Sequence, residues 1–141
     1  MNLSTIVDIA VSGISAQRTR MAITASNLAN AETTRTPEGG PYVRRDPVFR
    51  ATRAVDSFAD QLERRLRKVE VAGVVRDPRP PLRVHRPGHP DADADGMVAL
   101  PRVNPVEELT NMMTASRSFQ ANVFVLRKVR QMAEAALGLG R

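Results

Sequence analysis

Two short stretches of this chain bring together side chains that can hold a metal. Asp91-Ala92-Asp93-Ala94-Asp95-Gly96 sets aspartates at the first, third and fifth positions of a calcium loop and glycine at the sixth. Such a loop needs a bidentate glutamate at its twelfth position, which here is Arg102, and Pro87 and Pro90 prevent a helix from entering it. An acidic turn is the better reading. His85 and His89 have a spacing that binds zinc when a helix carries it. Pro87 and Gly88 lie between them, and only the aspartate run offers a third ligand. Gly39-Gly40 matches no phosphate-binding loop, no Ser-His-Asp order can be defended, and there is no cysteine. The chain is therefore read as no enzyme, with no catalytic residue, no cofactor and no metal.

A third group is cationic. The net charge is +6, and residues 44–86 hold twelve basic and six acidic groups, while residues 1–43 and 87–141 are each neutral overall. Arg44, Arg45, Arg50, Arg53, Arg64, Arg65, Arg67, Lys68, Arg76, Arg79, Arg83 and Arg86 could contact phosphates with steep salt dependence. Stacking aromatics are nearly absent there and no nucleic-acid-binding signature appears, so a solvated or partner-facing basic surface is favoured. The rival reading is a basic nucleic-acid-binding protein with a helical dimerisation hairpin.

The elements that would position these groups are two long helices flanking an insert. At the C-terminal end, Asn104 is a cap, Pro105 takes the first helical position, and Glu107 can reach back to the cap. A 3–4 spacing then runs through Leu109, Met112, Ser116, Phe119, Val123, Leu126, Arg130, Ala133 and Leu137. Arg127, Lys128 and Arg130 suit a helix C-terminus, and Gly138 and Gly140 stop the run. The N-terminal end repeats the rhythm with Leu3, Val7, Ala10, Ile14, Gln17, Met21, Thr24 and Leu28, and Asn30 is a left-handed terminator. Gly13 inside this run marks a close helix contact or a slight bend. At about 1.5 Å per residue each helix spans roughly 40–50 Å, too long for a compact domain of this size.

The insert is rich in turns. Tyr42 to Phe49 reads as a strand that Pro47 demotes to an edge or bulge. Residues 50–68 read as a short amphipathic helix or a mobile basic loop, with Val55, Phe58, Leu62 and Leu66 in helical period. Val69 to Val75 is the clearest strand, with Leu82 to Arg86 as its hairpin partner, and Gly96 to Leu100 forms a last short strand. The expected class is α+β: two long terminal helices pairing as an antiparallel coiled-coil hairpin, with a small β-rich insert between them. The divisions are 1–35, 36–103 and 104–141. Aromatics are only 4%, so a large globular core is not expected. No run of about 18 apolar residues predicts membrane insertion. The front lacks a basic region, and Asp8 interrupts its apolar stretch, so no cleavable signal peptide is expected.

The chain resembles the bacterial flagellar axial proteins. The shared pattern runs Ser12-Gly13-Ile14-Ser15-Ala16-Gln17-Arg18 through Ser26-Asn27-Leu28-Ala29-Asn30-Ala31. Thr33 to Tyr42, Val75-Arg76-Asp77 with Pro80-Pro81, Pro87 to Asp93, Val103 to Glu108, and Ser116 to Asn122 narrow the resemblance to the basal-body rod proteins of the proximal rod. It covers essentially the whole chain apart from residues 50–68. It implies a structural role: terminal helices, disordered before assembly, that pack around an export channel. It also implies copies of itself and other rod subunits as partners, export by the type III apparatus without a cleaved signal, and a rod crossing the periplasm. Val7, Ile14, Met21, Leu28, Leu109, Met112, Phe119, Val123 and Leu126 are then the expected packing residues. Gln17, Asn27, Asn30, Arg117, Gln120 and Asn122 are the expected inter-subunit polar contacts. Nucleic acid and membrane are not expected partners.

Overall fold

The computed structural model describes residues 3–54 and 66–138. Helix α1 (Leu3–Ala29) and helix α2 (Pro105–Gly138) enclose four strands: β1 (Arg45–Arg53), β2 (Arg67–Arg76), β3 (Leu82–His85) and β4 (Met97–Leu100). The class is α+β, with two small antiparallel sheets, β1–β2 and β3–β4.

Helix α2 starts as its sequence dictates. The Val106 amide donates to Asn104 Oδ1 at 3.0 Å, and the Glu108 amide donates to the Asn104 carbonyl at 3.0 Å. Glu107 turns from the cap towards Arg44, at 3.8 Å. The helix runs on to Gly138, so Arg127, Lys128 and Arg130 lie well before its last turn, which holds no basic residue. Gly140 lies outside the described residues. At the end of α1, Asn30 is not left-handed, because no described non-glycine residue has positive φ. Its side-chain amide instead donates to the Ser26 carbonyl at 2.9 Å, beside the backbone bond from the Asn30 amide to the same acceptor.

The strands pair differently from the expected hairpin. β2 pairs with β1 over nine residues, from Arg45 opposite Arg76 to Arg53 opposite Arg67, and the Ala54 amide extends the ladder to the Leu66 carbonyl. Residues 50–54 and 66–68 are therefore not helical; they continue the antiparallel ladder. The Val55, Phe58 and Leu62 part of that reading lies outside the described residues. The expected irregularity at Pro47 is a register shift between Val48 and Phe49, next to the residue that has no N–H to give. β3 pairs with β4, not β2. Asp93 fixes that turn: its Oδ1 accepts from the Asp95 and Met97 amides at 3.0 and 2.8 Å, and Gly96 takes φ +68°. A side chain at Gly96 would meet His85 Nε2 at 3.1 Å.

The helices pack together through small residues. Ala10 and Ala16 on α1 and Ala115 on α2 are buried. A Cβ built on Gly13 would lie 2.8 Å from Asn122 Nδ2, so the close-contact reading of Gly13 holds. We expect Gly13→Leu to force the helices apart and to cost roughly 1–3 kcal/mol in urea unfolding. Asn122→Ala in the same chain should return part of that loss by vacating the space. An unchanged midpoint in Gly13→Leu would show that the helices do not need this approach.

Candidate functional site

The described chain contains one buried polar node, and it ties α1, β1 and α2 together. Glu108 and Asn27 are each 1% exposed. Arg44 donates from Nε to Glu108 Oε1 at 2.7 Å and also pairs with Asp46. Asn27 Nδ2 donates to Glu108 Oε2 at 3.1 Å and to the Arg45 carbonyl at 2.8 Å. Asn27 Oδ1 accepts from Tyr42 Oη at 2.9 Å and from the Arg45 amide at 3.0 Å. Both edges of one side-chain amide thus bond the backbone of Arg45 as a neighbouring strand would. All four hydrogen-bonding positions of Asn27 are filled within the chain. Burial lowers the Arg44 pKa, but hydrogen bonds and attraction from Glu108 and Asp46 outweigh it and raise the guanidinium above its ordinary value.

Around the node, α1 also touches the sheet. Ser12 Oγ donates to the Ile9 carbonyl at 2.7 Å and accepts from the Val69 amide at 3.2 Å. Arg20 lies over the Phe49 ring at 4.7 Å.

The metal-like clusters are held by the chain's own donors. Asp91 accepts from Thr34 Oγ1 at 2.7 Å and pairs with Arg35 at 3.3 Å, and Asp93 pairs with Arg83. The Met97 amide holds the Asp93 carboxyl below its usual range, helped by the Asp95 amide and Arg83. His89 Nδ1 accepts from the Asp91 amide at 3.1 Å. No group of three potential metal ligands occurs among the described residues.

The expected packing residues fall on two kinds of position. Val7, Ile14, Met21 and Leu28 on α1, and Met112, Phe119, Val123 and Leu126 on α2, are half-buried in a single chain. Leu109 is 48% exposed, while its neighbour Glu108 is buried, as are Ala115 and Val129. The buried positions 108, 115 and 129 therefore stand one residue ahead of the expected 109, 116 and 130. Among the polar candidates, Arg117 and Gln120 are exposed and Asn30 is half-buried. Asn122 lies against Gly13, and the half-buried Gln17 has a buried Oε1 with no hydrogen-bond partner among the described residues. Asn27 has no donor or acceptor left for a neighbour. Sequence reasoning missed Glu108, Arg44, Tyr42 and Ser12. The only signal for Glu108 was its place in the Asn104-Pro105-Val106-Glu107-Glu108 helix start.

Part of what α2 leaves uncovered is apolar. Val106, Leu109, Met113, Phe124, Val125 and Met132 are all exposed. Around Phe124, a shallow depression is lined by Arg117, Phe119, Gln120, Val123 and Arg127. No helix of the described residues is long and apolar enough to cross a membrane.

Comparison with known proteins accounts for such a chain. Residues 8–35 match the family model described as flagella basal body rod protein, and residues 94–139 match the C-terminal model of the flagellar basal body rod FlgEFG proteins. The flagellar basal-body rod protein FlgC of Salmonella typhimurium is 43% identical over 141 residues, covering all of both chains. The chain belongs to the FlgC family of flagellar basal-body rod proteins. The Escherichia coli O157:H7 FlgC is 42% identical over 141 residues and all of both chains, and the Borreliella burgdorferi FlgC 36% over 150 residues, 99% of this chain and 98% of its own. A FlgC-family chain is a structural rod subunit of the flagellar basal body and not an enzyme. The nucleic-acid-binding reading finds no support among these relatives.

Proposed function

We propose that this chain is a proximal-rod subunit whose terminal helices form part of the wall of the axial tube, which encloses the export channel and transmits torque. The exposed apolar stripe of α2 on a rod-family chain carries this reading. A helix face bearing Leu109, Met113 and Phe124 in water gains little alone and needs neighbours to cover it. Copies of the chain and other rod subunits are those neighbours.

Residues 1–35 and 104–141 are the core unit, with α1 and α2 as an antiparallel coiled-coil hairpin, and residues 36–103 are a separate insert. Supporting this pairing, Gly13 meets Asn122 and Asn27 meets Glu108, so α2 residue numbers fall as those of α1 rise. Half-buried Val7, Ile14, Met21, Leu28, Met112, Phe119, Val123 and Leu126, with exposed Leu109, are completed by packing between subunits. Gln17, Asn30, Arg117, Gln120 and Asn122 supply polar contacts there; for Gln17, a donor from a neighbour would satisfy its orphaned Oε1. The subunit leaves the cytoplasm by type III export and works where the rod crosses the periplasm.

Deleting the gene and imaging the remaining basal bodies by electron microscopy tests this reading. We expect absent or truncated rods, no filament, and recovery of both on re-expression. Intact rods in swimming cells would refute it.

A further inference from the structure

Resting on the rod-subunit reading, we propose that α1 of one copy docks antiparallel along α2 of a second copy, with Asp8 against Arg117 and Arg18 against Glu107. Spacing and charge match at once. On α1, Asp8, Val11, Ser15 and Arg18 follow steps of three, four and three residues. All four are exposed, while Ala10 and Ala16 are buried on the opposite side of the helix. On α2, read backwards, Arg117, Thr114, Thr110 and Glu107 follow the same steps, and all four are exposed. Laid antiparallel, the two runs form four layers: Asp8 on Arg117, Val11 on Thr114, Ser15 on Thr110 and Arg18 on Glu107.

These groups are free to meet a neighbour. Among the described residues no ion pair holds Asp8, Arg18 or Arg117, and Glu107 has its 3.8 Å contact with Arg44. The Thr110 and Thr114 hydroxyls donate to carbonyls of their own helix at 2.9 Å each, so neither needs a partner at this face. Beside Ser15, Arg18 and Ala22 an open groove reaches Tyr42 and Val74, which leaves room for an arriving helix. Exposed ion pairs contribute little energy each, and they act here on register.

Other alignments fail on charge. A parallel one with Asp8 at Arg117 brings Arg18 to Arg127. A slide of one heptad sets Asp8 against Phe124 or Thr110. Nor do the pairs form within one chain. Gly13 lies beside Asn122, so Asp8, five residues before Gly13, stands level with residue 127. Arg117 is ten residues from there, about 15 Å along the helix. Both halves of the match stand on this chain, so the occupant is a second copy. The two copies run in the same direction, offset by about 15 Å. One face gives and a different face receives, so the contact repeats without pairing two copies off, as a helical tube requires.

The chain has no cysteine, so a reporter pair can be placed without background. Val11→Cys/Thr114→Cys replaces the parent chain in cells, and isolated basal bodies are oxidised and separated without reductant. The expected result is a dimer and a ladder of larger species from the double variant, and none from either single variant. Adding Asp8→Arg should cut the dimer about tenfold or more. Asp8→Arg/Arg117→Asp in the same background should restore it, and swimming should fail and return in step. The Tm of purified Asp8→Arg should match the parent's, because Asp8 is exposed, which separates lost docking from lost folding. Complete rods that yield no linked species overturn the proposal, as does failure of the swap to restore them. A dimer from Val11→Cys alone overturns it too, since like faces would then meet. Complete rods in cells lacking the gene would refute the rod-subunit reading itself, a different result from any of these.

Discussion

Glu108→Ala should destabilise the chain by about 3–5 kcal/mol, the range for breaking a buried charge pair from one side. Arg44, with its side chain 12% exposed, would retain a charge with no carboxylate at Nε. Asn27 would lose one of its two acceptors, and Arg44 would keep only its pairs with Asp46 and, at 3.8 Å, Glu107. Against a total of roughly 5–15 kcal/mol for an ordinary domain, and with a buried apolar core made mostly of alanine and valine, that loss takes a large share. Urea unfolding of the purified chain measures it. Arg44→Met/Glu108→Met should recover most of the difference, because removing both charges removes the desolvation cost as well. A Glu108→Ala midpoint equal to the parent's would mean that the node is incidental to folding.

The second large effect is on assembly. Leu126→Asp should abolish rod formation while the subunit is still exported. In one chain Leu126 is half-buried, so the substitution costs a modest amount of folding. In a wall where neighbours cover the rest of that face, the carboxylate would be desolvated with no cation built to meet it, and the penalty would recur in every copy. Electron microscopy of basal bodies should show no complete rods, and fractionation should still find the subunit outside the cytoplasm. Complete rods in the mutant would remove Leu126 from the packing surface.

The two helices were legible because a 3–4 spacing and an Asn-Pro start are local signals. The first turn of α2 was not. Scanning for apolar residues placed the seam on Leu109, whereas burial falls on Glu108, and only Arg44 on another element makes that carboxylate tolerable inside. No periodicity rule seats a glutamate in a core. Asn27 was noticed as a polar residue at a helix end, but its role depends on Tyr42 and Arg45, which folding brings to it. Strand identity was largely readable and strand pairing was not. Val69–Val75 is a strand on composition alone, yet whether its partner lies before or after it depends on the turn that Asp93 and Gly96 make. Gly13 was readable as a close approach or a slight bend, and Asn122 beside it decides for the approach.

The four bonds of Asn27 also set a schedule. Three come from residues 15 to 18 positions away and become available as soon as the chain has passed β1. The fourth comes from Glu108, 81 residues further on. A chain emerging from a ribosome or an export channel with its front end first would hold the end of α1 against β1 early, with one amide proton still waiting. Only when the start of α2 arrives can that proton find its acceptor and Arg44 its buried carboxylate. The side-chain amide of Asn27 is thus a clock within the subunit, and its protection from exchange would report the moment at which front and back have met.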